Sequence, residues 1–303
     1  MYTKTFTLYR FATNLQLKRQ DVKIRVLWGV EAMEFITDKL IMIALFILII
    51  HSIETLAYAV RLSGARVRLL ASALSLFNVM VMVSRLSNMM QQPFTGSLVD
   101  KAPSNNALLF VENQFRVLIS SASLGTLLGI ICLPTFVAIF SRAIIHLADE
   151  RGSVPALLKK GFTFEYLRRG FKHIRKPSLS YIRGIGIRDI PIKLFIINVI
   201  ITAVYTIGVL SALYASLLVP EYKTTAIMAS GLINGIATML LIIFIDPKIS
   251  ILADDVINKK GNYADLKRAS VMMMSSRFLG TLLAQMLFIP GAYYVAWFAK
   301  LIA

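Results

Sequence analysis

Leu40 to Arg61 reads LIMIALFILIIHSIETLAYAVR, and this stretch decides what kind of molecule the chain is. A helix needs about 20 predominantly apolar residues to cross the hydrocarbon of a bilayer, and this run supplies them. It also carries His51 and Glu54 well inside that length. An ionisable group at membrane depth costs roughly 3 to 17 kcal/mol, so such groups turn toward a partner or a wet cavity. The stretch therefore predicts a membrane-spanning helix with a polar inward face.

Outward from it, five more segments have the same character. The expected spans are 40–61, 68–90, 116–141, 192–218, 224–245 and 273–299. Backbone groups in lipid must be satisfied within the segment, which makes every span a helix. The predicted fold is all-α, a polytopic membrane protein with six transmembrane helices. Across 303 residues, 57% are hydrophobic, yet the net charge is +17. Both hold at once only if charge is segregated into the connections. That segregation points to anionic membrane lipids rather than nucleic acid as the partner of the basic residues. Cys132 is a lone thiol in an apolar run, so the chain has no internal disulfide and no thiolate metal cluster.

The connections set an orientation. The first holds Arg61, Arg66 and Arg68 with no acid, and the third, Arg142 to Lys193, holds twelve Lys or Arg. The fifth carries Lys248, Lys259, Lys260, Lys267 and Arg268, whereas the second and fourth are poor in cations. Odd-numbered loops are thus expected in the cytoplasm, with both termini extracytoplasmic. Residues 1–32 conflict with this, because Lys4, Arg10, Lys18, Arg19, Lys23 and Arg25 resist translocation. Translation from Met33 removes the conflict, and 1–32 is read as a basic extension outside the working protein. The alternative is an amphipathic cytoplasmic arm. In the third loop, apolar Leu157, Phe162, Tyr166 and Phe171 interleave with Lys159, Lys160, Arg168 and Lys172, the pattern of an interfacial segment on anionic lipid.

A repeat divides the spans. Residues 120–128 read SSASLGTLL and residues 275–283 read SSRFLGTLL, with Pro134 and Pro290 following at nearly equal distances. A weaker match pairs Ala71-Ser72-Ala73-Leu74 with Ala229-Ser230-Gly231-Leu232. The domain reading is membrane half 33–141, basic cytoplasmic or interfacial loop 142–191, and membrane half 192–303. Three spans per half make the second copy enter from the opposite face, a 3+3 inverted repeat of the kind that underlies alternating access.

Polar residues recur at helical spacing on three spans. His51, Glu54, Tyr58 and Arg61 share one face of the first, and Ser75, Asn78 and Arg85 share a face of the second. Arg277, Thr281 and Gln285 do so in the sixth. Ser and Thr in such lines serve as glue between helices, while Arg61 and Arg277 lie near enough to the cytoplasmic side to snorkel, and Arg85, about 25 Å into its helix, near enough to the outer side. A buried Glu54 beside His51 suits cavity tuning or proton coupling. No HExxH, Walker lysine, GxSxG or Cys/His cluster occurs, which argues for a transporter rather than an enzyme, with no cofactor and no metal.

Several of these segments resemble the Amj family, the alternate lipid II flippases of bacteria. The likeness runs through 50–62 (IHSIETLAYAVRL), 73–78 (ALSLFN), 83–88 (VSRLSN), Asp246-Pro247-Lys248 and 279–285 (LGTLLAQ). It covers nearly everything from Met33 onward. The resemblance implies movement of an undecaprenyl-pyrophosphate-linked peptidoglycan precursor across the bacterial cytoplasmic membrane, the work done elsewhere by MurJ. On that reading Arg61, Arg85 and Arg277 attract the pyrophosphate, because Arg forks suit phosphate oxygens. Asn78 and Gln285 would bind headgroup polar atoms, and His51, Glu54 and Tyr58 would tune the cavity. A carrier of another polyprenyl-linked glycan or small solute, or a non-transporting assembly protein, shares the same spans. Protein partners are not legible.

Overall fold

The structure, a computed structural model, describes residues 37–150 and 192–303. The 1–32 extension and most of the 142–191 loop, its interfacial segment included, lie outside the described residues. Among the described residues seven α-helices succeed one another: α1 (Asp38–Val67), α2 (Leu70–Asp100), α3 (Ala107–Asp149), α4 (Ile192–Leu218), α5 (Lys223–Leu240), α6 (Asp246–Ile257) and α7 (Tyr263–Ile302). A 3-10 turn, Pro220–Tyr222, opens α5, and a π-helical turn, Leu241–Ile245, joins α5 to α6. Counting α5 to α6 as one rod, six helices among the described residues are long and apolar enough to cross a membrane. The chain is an all-helical, multi-pass membrane protein.

The helices outrun the apolar segments that announced them. α3 has 43 residues, about 64 Å of helix at 1.5 Å per residue, where hydropathy marked 116–141. Hydropathy registers only the part that lipid can hold. The polar turns at either end, such as Glu112 to Arg116, continue the same hydrogen-bonded helix beyond it.

Of the described residues, 37–42 belong to one unit and those from Ile43 onward to a second. In the first, Thr37 caps α1, its Oγ1 accepting from the Leu40 N–H at 3.1 Å. Within the second, α4 and α7 form the most extensive helix pair. Half of the most apolar stretch of α4 is buried, against 17% for α2 and 11% for the α5–α6 rod. The last two are therefore peripheral helices with apolar faces bare, as Met82, Met89, Met228 and Met239 show.

Side-chain hydroxyls and amides tie the inner helices. Ser52 and Ser63 of α1 donate to the carbonyls of Gly125 and Val137 on α3, at 2.8 and 3.0 Å. Asn198 and Ser211 of α4 donate to the carbonyls of Met273 and Phe288 on α7, both at 3.1 Å. The glycine of each repeated LGTLL segment sits at the same kind of crossing. A Cβ on Gly125 would collide with the Leu48 carbonyl of α1, and one on Gly280 would lie 2.7 Å from the Val199 oxygen of α4. Gly125 of α3 thus reaches the backbone of α1, and Gly280 of α7 that of α4, as close-packed membrane helices do through small residues.

Two turns share one device. α1 ends with Arg68 at φ 60° and α6 with Lys259 at φ 59°. The next residue in each case donates back to close the cap, Leu69 to Gly64 at 3.1 Å and Lys260 to Asp255 at 2.8 Å. Both are Schellman motifs with a basic residue in the left-handed position usually given to glycine.

Candidate functional site

The polar face of α1 meets polar residues from four other helical segments. Glu54, the charged residue deepest in the first apolar run, is held three ways. Arg277 Nη2 of α7 donates to its Oε2 at 2.6 Å, Ser84 Oγ of α2 to its Oε1 at 2.8 Å, and Tyr205 OH of α4 to the same oxygen at 3.1 Å. Two turns along α1, Arg61 Nη2 pairs with Asp246 Oδ1 at 2.9 Å and lies over the Phe77 ring, 4.1 Å from its centroid. Arg61 is 2% exposed and Arg277 6%, so neither snorkels to a surface. Burying a charge is tolerated here because each meets a carboxylate.

Asp246 reaches Arg61 because of the local chain geometry. The π turn Leu241–Ile245 inserts a surplus residue, and Pro247 comes next, where its missing N–H costs nothing. The carboxylate is thereby set at the start of α6.

These groups line a cavity of about 70 Å³, together with Tyr58 of α1, Arg85 of α2 and Thr202 of α4. That is room for a handful of waters. Three arginines and two carboxylates leave one net positive charge on its wall. Arg85 is exposed and has no ion pair or hydrogen bond among the described residues, so the surplus charge is its own. The Nε atoms of Arg61 and Arg277, and Thr202 Oγ1, are buried without a hydrogen-bond partner. Unsatisfied buried donors are costly, and the three residues that carry these atoms all line the cavity.

His51 does not join this group. It is 6% exposed, its Nδ1 has no partner, and it lines a second cavity of about 30 Å³ with Asn88, Gln91 and Thr206. Tyr205 lines both cavities.

The structure thus gathers Glu54, Tyr58, Arg61, Arg85 and Arg277, and places His51 one cavity away. It does not bring Asn78 or Gln285 to them. Asn78 is exposed on α2 and off the cavity wall. Gln285 donates to the Arg116 carbonyl at 2.9 Å and to Ser120 Oγ at 3.0 Å, while Arg116 Nη1 donates to the Gln285 carbonyl at 3.1 Å. Its amide locks α7 to α3 and is spent there. The sequence reading gave no site role to Ser84, Tyr205 or Asp246. A line of Asn198, Thr202 and Tyr205 at helical spacing on α4 was the available sign of the second. Among the described residues no three His, Cys, Asp or Glu cluster in a way that would hold a metal.

Against known proteins, the family described as Alternate to MurJ, Amj, matches residues 46–299. A protein of Bacillus subtilis (strain 168) named Lipid II flippase Amj is 62% identical over 268 residues, which is 88% of this chain and 99% of that protein. No solved structure matches.

Proposed function

The chain belongs to the Amj family, and from that premise we propose that it is a lipid II flippase of the bacterial cytoplasmic membrane. It moves the undecaprenyl-pyrophosphate-linked precursor to the face where peptidoglycan is built. The work is translocation, not covalent chemistry. The close relative's name supports the substrate, and the arginine-lined cavity supports the way it is held.

That cavity is the observation that carries the reading. A pyrophosphate diester bears two negative charges, and it meets a wall with a net positive charge and one unengaged guanidinium. Arg85 makes first contact. Arg61 and Arg277 join in by exchanging a carboxylate for a phosphate oxygen, which keeps each guanidinium compensated while Asp246 or Glu54 gives up its cation. Tyr58 borders the same wall. The polyprenyl tail stays in lipid beside α2 and the α5–α6 rod, the two least-buried helices. A cavity of about 70 Å³ is far too small for a disaccharide-pentapeptide, so this is a closed conformation that opens to admit the headgroup. The basic connections at the ends of α1 and α6 face the cytoplasm, where anionic lipids bind them.

The test is flipping of labelled lipid II by the purified protein in liposomes. Transbilayer movement above that of empty liposomes is expected, and Arg85→Ala should abolish it. Liposomes no faster than the empty control overturn the reading. Undecaprenyl-pyrophosphate bearing a different glycan, run alongside, separates recognition of the pyrophosphate from recognition of the peptide.

A further inference from the structure

The two polar cavities occupy successive stretches of the same helices. On α1 the His51 cavity takes residues 47–51 and the arginine cavity 54–61; on α2 the order is 88–91 and 77–85. On α4 they share one residue, Tyr205, with 201–202 on one side of it and 206–210 on the other. Along α1 their centres are about 13 Å apart at 1.5 Å per residue. They are therefore stacked along the helix axes, one toward each membrane face.

Tyr205 is pinned where they meet. Its OH donates to Glu54 at 3.1 Å and accepts from Asn88 Nδ2 at 3.2 Å; Gln91 Nε2 in turn donates to Asn88 Oδ1 at 3.3 Å. Glu54 is itself held by Arg277. The arginine cavity is thus coupled to the Tyr205 ring through one carboxylate. On the far side, His51 Nδ1 is buried and without a partner. That cavity offers uncharged donors and acceptors and no cation, a lining for hydroxyl or amide groups.

We infer that Tyr205 is the partition between two stations on one path, an anion station at the arginines and an uncharged polar station at His51. An anion that takes Arg277 from Glu54 loosens the carboxylate that holds the tyrosine, so occupancy of the first station releases the way to the second. Tyr205 is a positioning and gating residue here. This rests on the flippase reading only for the identity of the cargo.

The experiment uses the full chain in sealed vesicles of known orientation, with Cys132→Ser as background and no lipid II present. Ala57→Cys reports the arginine cavity and Val209→Cys the other. A small, charged, membrane-impermeant thiosulfonate is applied from each face in turn. With Tyr205 intact, the two cysteines are expected to react preferentially from opposite faces. Tyr205→Ala should abolish that preference at both positions, while Tyr205→Phe, which keeps the ring but loses the hydroxyl held by Glu54 and Asn88, should leave a preference weaker than that of Tyr205. Should the Ala variant not reach the membrane, Tyr205→Leu removes the ring with less loss of bulk and is expected to behave as Ala. Reaction of both cysteines from the same face, or an undiminished preference once the ring is gone, overturns the inference. Neither outcome depends on whether lipid II is flipped.

Discussion

Glu54 and Arg277 are 223 positions apart in the chain and 2.6 Å apart in space. The pair crosses from the first span to the last, and through Ser84 and Tyr205 it also engages the second and fourth. A single carboxylate therefore organises four helices. Burial makes it sensitive, since either partner left alone is an uncompensated charge in a poor solvent.

Glu54→Gln or Arg277→Gln alone should lower stability by about 3–5 kcal/mol, the usual cost of breaking a buried pair from one side. Combining Glu54→Gln with Arg277→Met removes both charges and should recover most of that loss. Melting temperatures of the purified variants in detergent check this. Flipping should remain absent in the double variant, because the anion has lost one of its cations.

Arg85 predicts the opposite pattern. It is exposed and unpaired among the described residues, so Arg85→Ala should change stability by no more than about 0.5 kcal/mol. It should nevertheless abolish rescue of a strain that lacks its other flippase, at normal protein level. Arg85→Lys is expected to restore part of the rescue, as a point charge without the planar fork.

Gln285→Ala should cost about 1–2 kcal/mol through lost hydrogen bonds between α3 and α7, with rescue retained at matched protein level. Asn78→Ala should be silent in both melting and rescue. Loss of flipping in either variant at full abundance would return these residues to the headgroup.

The glycines offer a matched comparison. Gly125→Ala and Gly280→Ala each drive a methyl into the backbone of a neighbouring helix and should destabilise by about 1–3 kcal/mol. Gly231→Ala and Gly235→Ala meet nothing within 4 Å, and should stabilise by about 0.5–1 kcal/mol through helix propensity. Thermal melts of the four variants distinguish crossing points from bare helix surface.

Lys259 holds φ 59° at the end of α6. Lys259→Gly should raise stability by about 1 kcal/mol, because glycine enters the left-handed region without the steric cost of a Cβ. A rise in melting temperature with unchanged flipping is the expected readout.

The six spans were legible because lipid imposes one requirement on every residue of a segment, and hydropathy reads that requirement directly. The α1 face was legible for the same reason, since Glu54 and Arg61 violate it at helical spacing. What a face meets is another matter. Asn78 and Gln285 have the same periodicity as Arg85 and Arg277, and only packing decides that one is turned away and the other bound to Arg116. Tyr205 escaped notice because its ring counts as apolar and its hydroxyl is one atom in a long hydrophobic run. Asp246 entered the sequence reading only within the Asp246-Pro247-Lys248 likeness, because nothing in composition reveals that the turn before it is wound differently.

That wide turn at Leu241–Ile245 stores one residue more than an ordinary helix would use over the same rise. Were the extra residue passed along the rod, the stretch it traverses would rotate by about 100°, given 3.6 residues per turn. Asp246 would swing clear of Arg61 as the bulge migrated past it, like slack travelling down a rope. Such a shift would give an otherwise rigid span two settings, and that span is the least buried of the six.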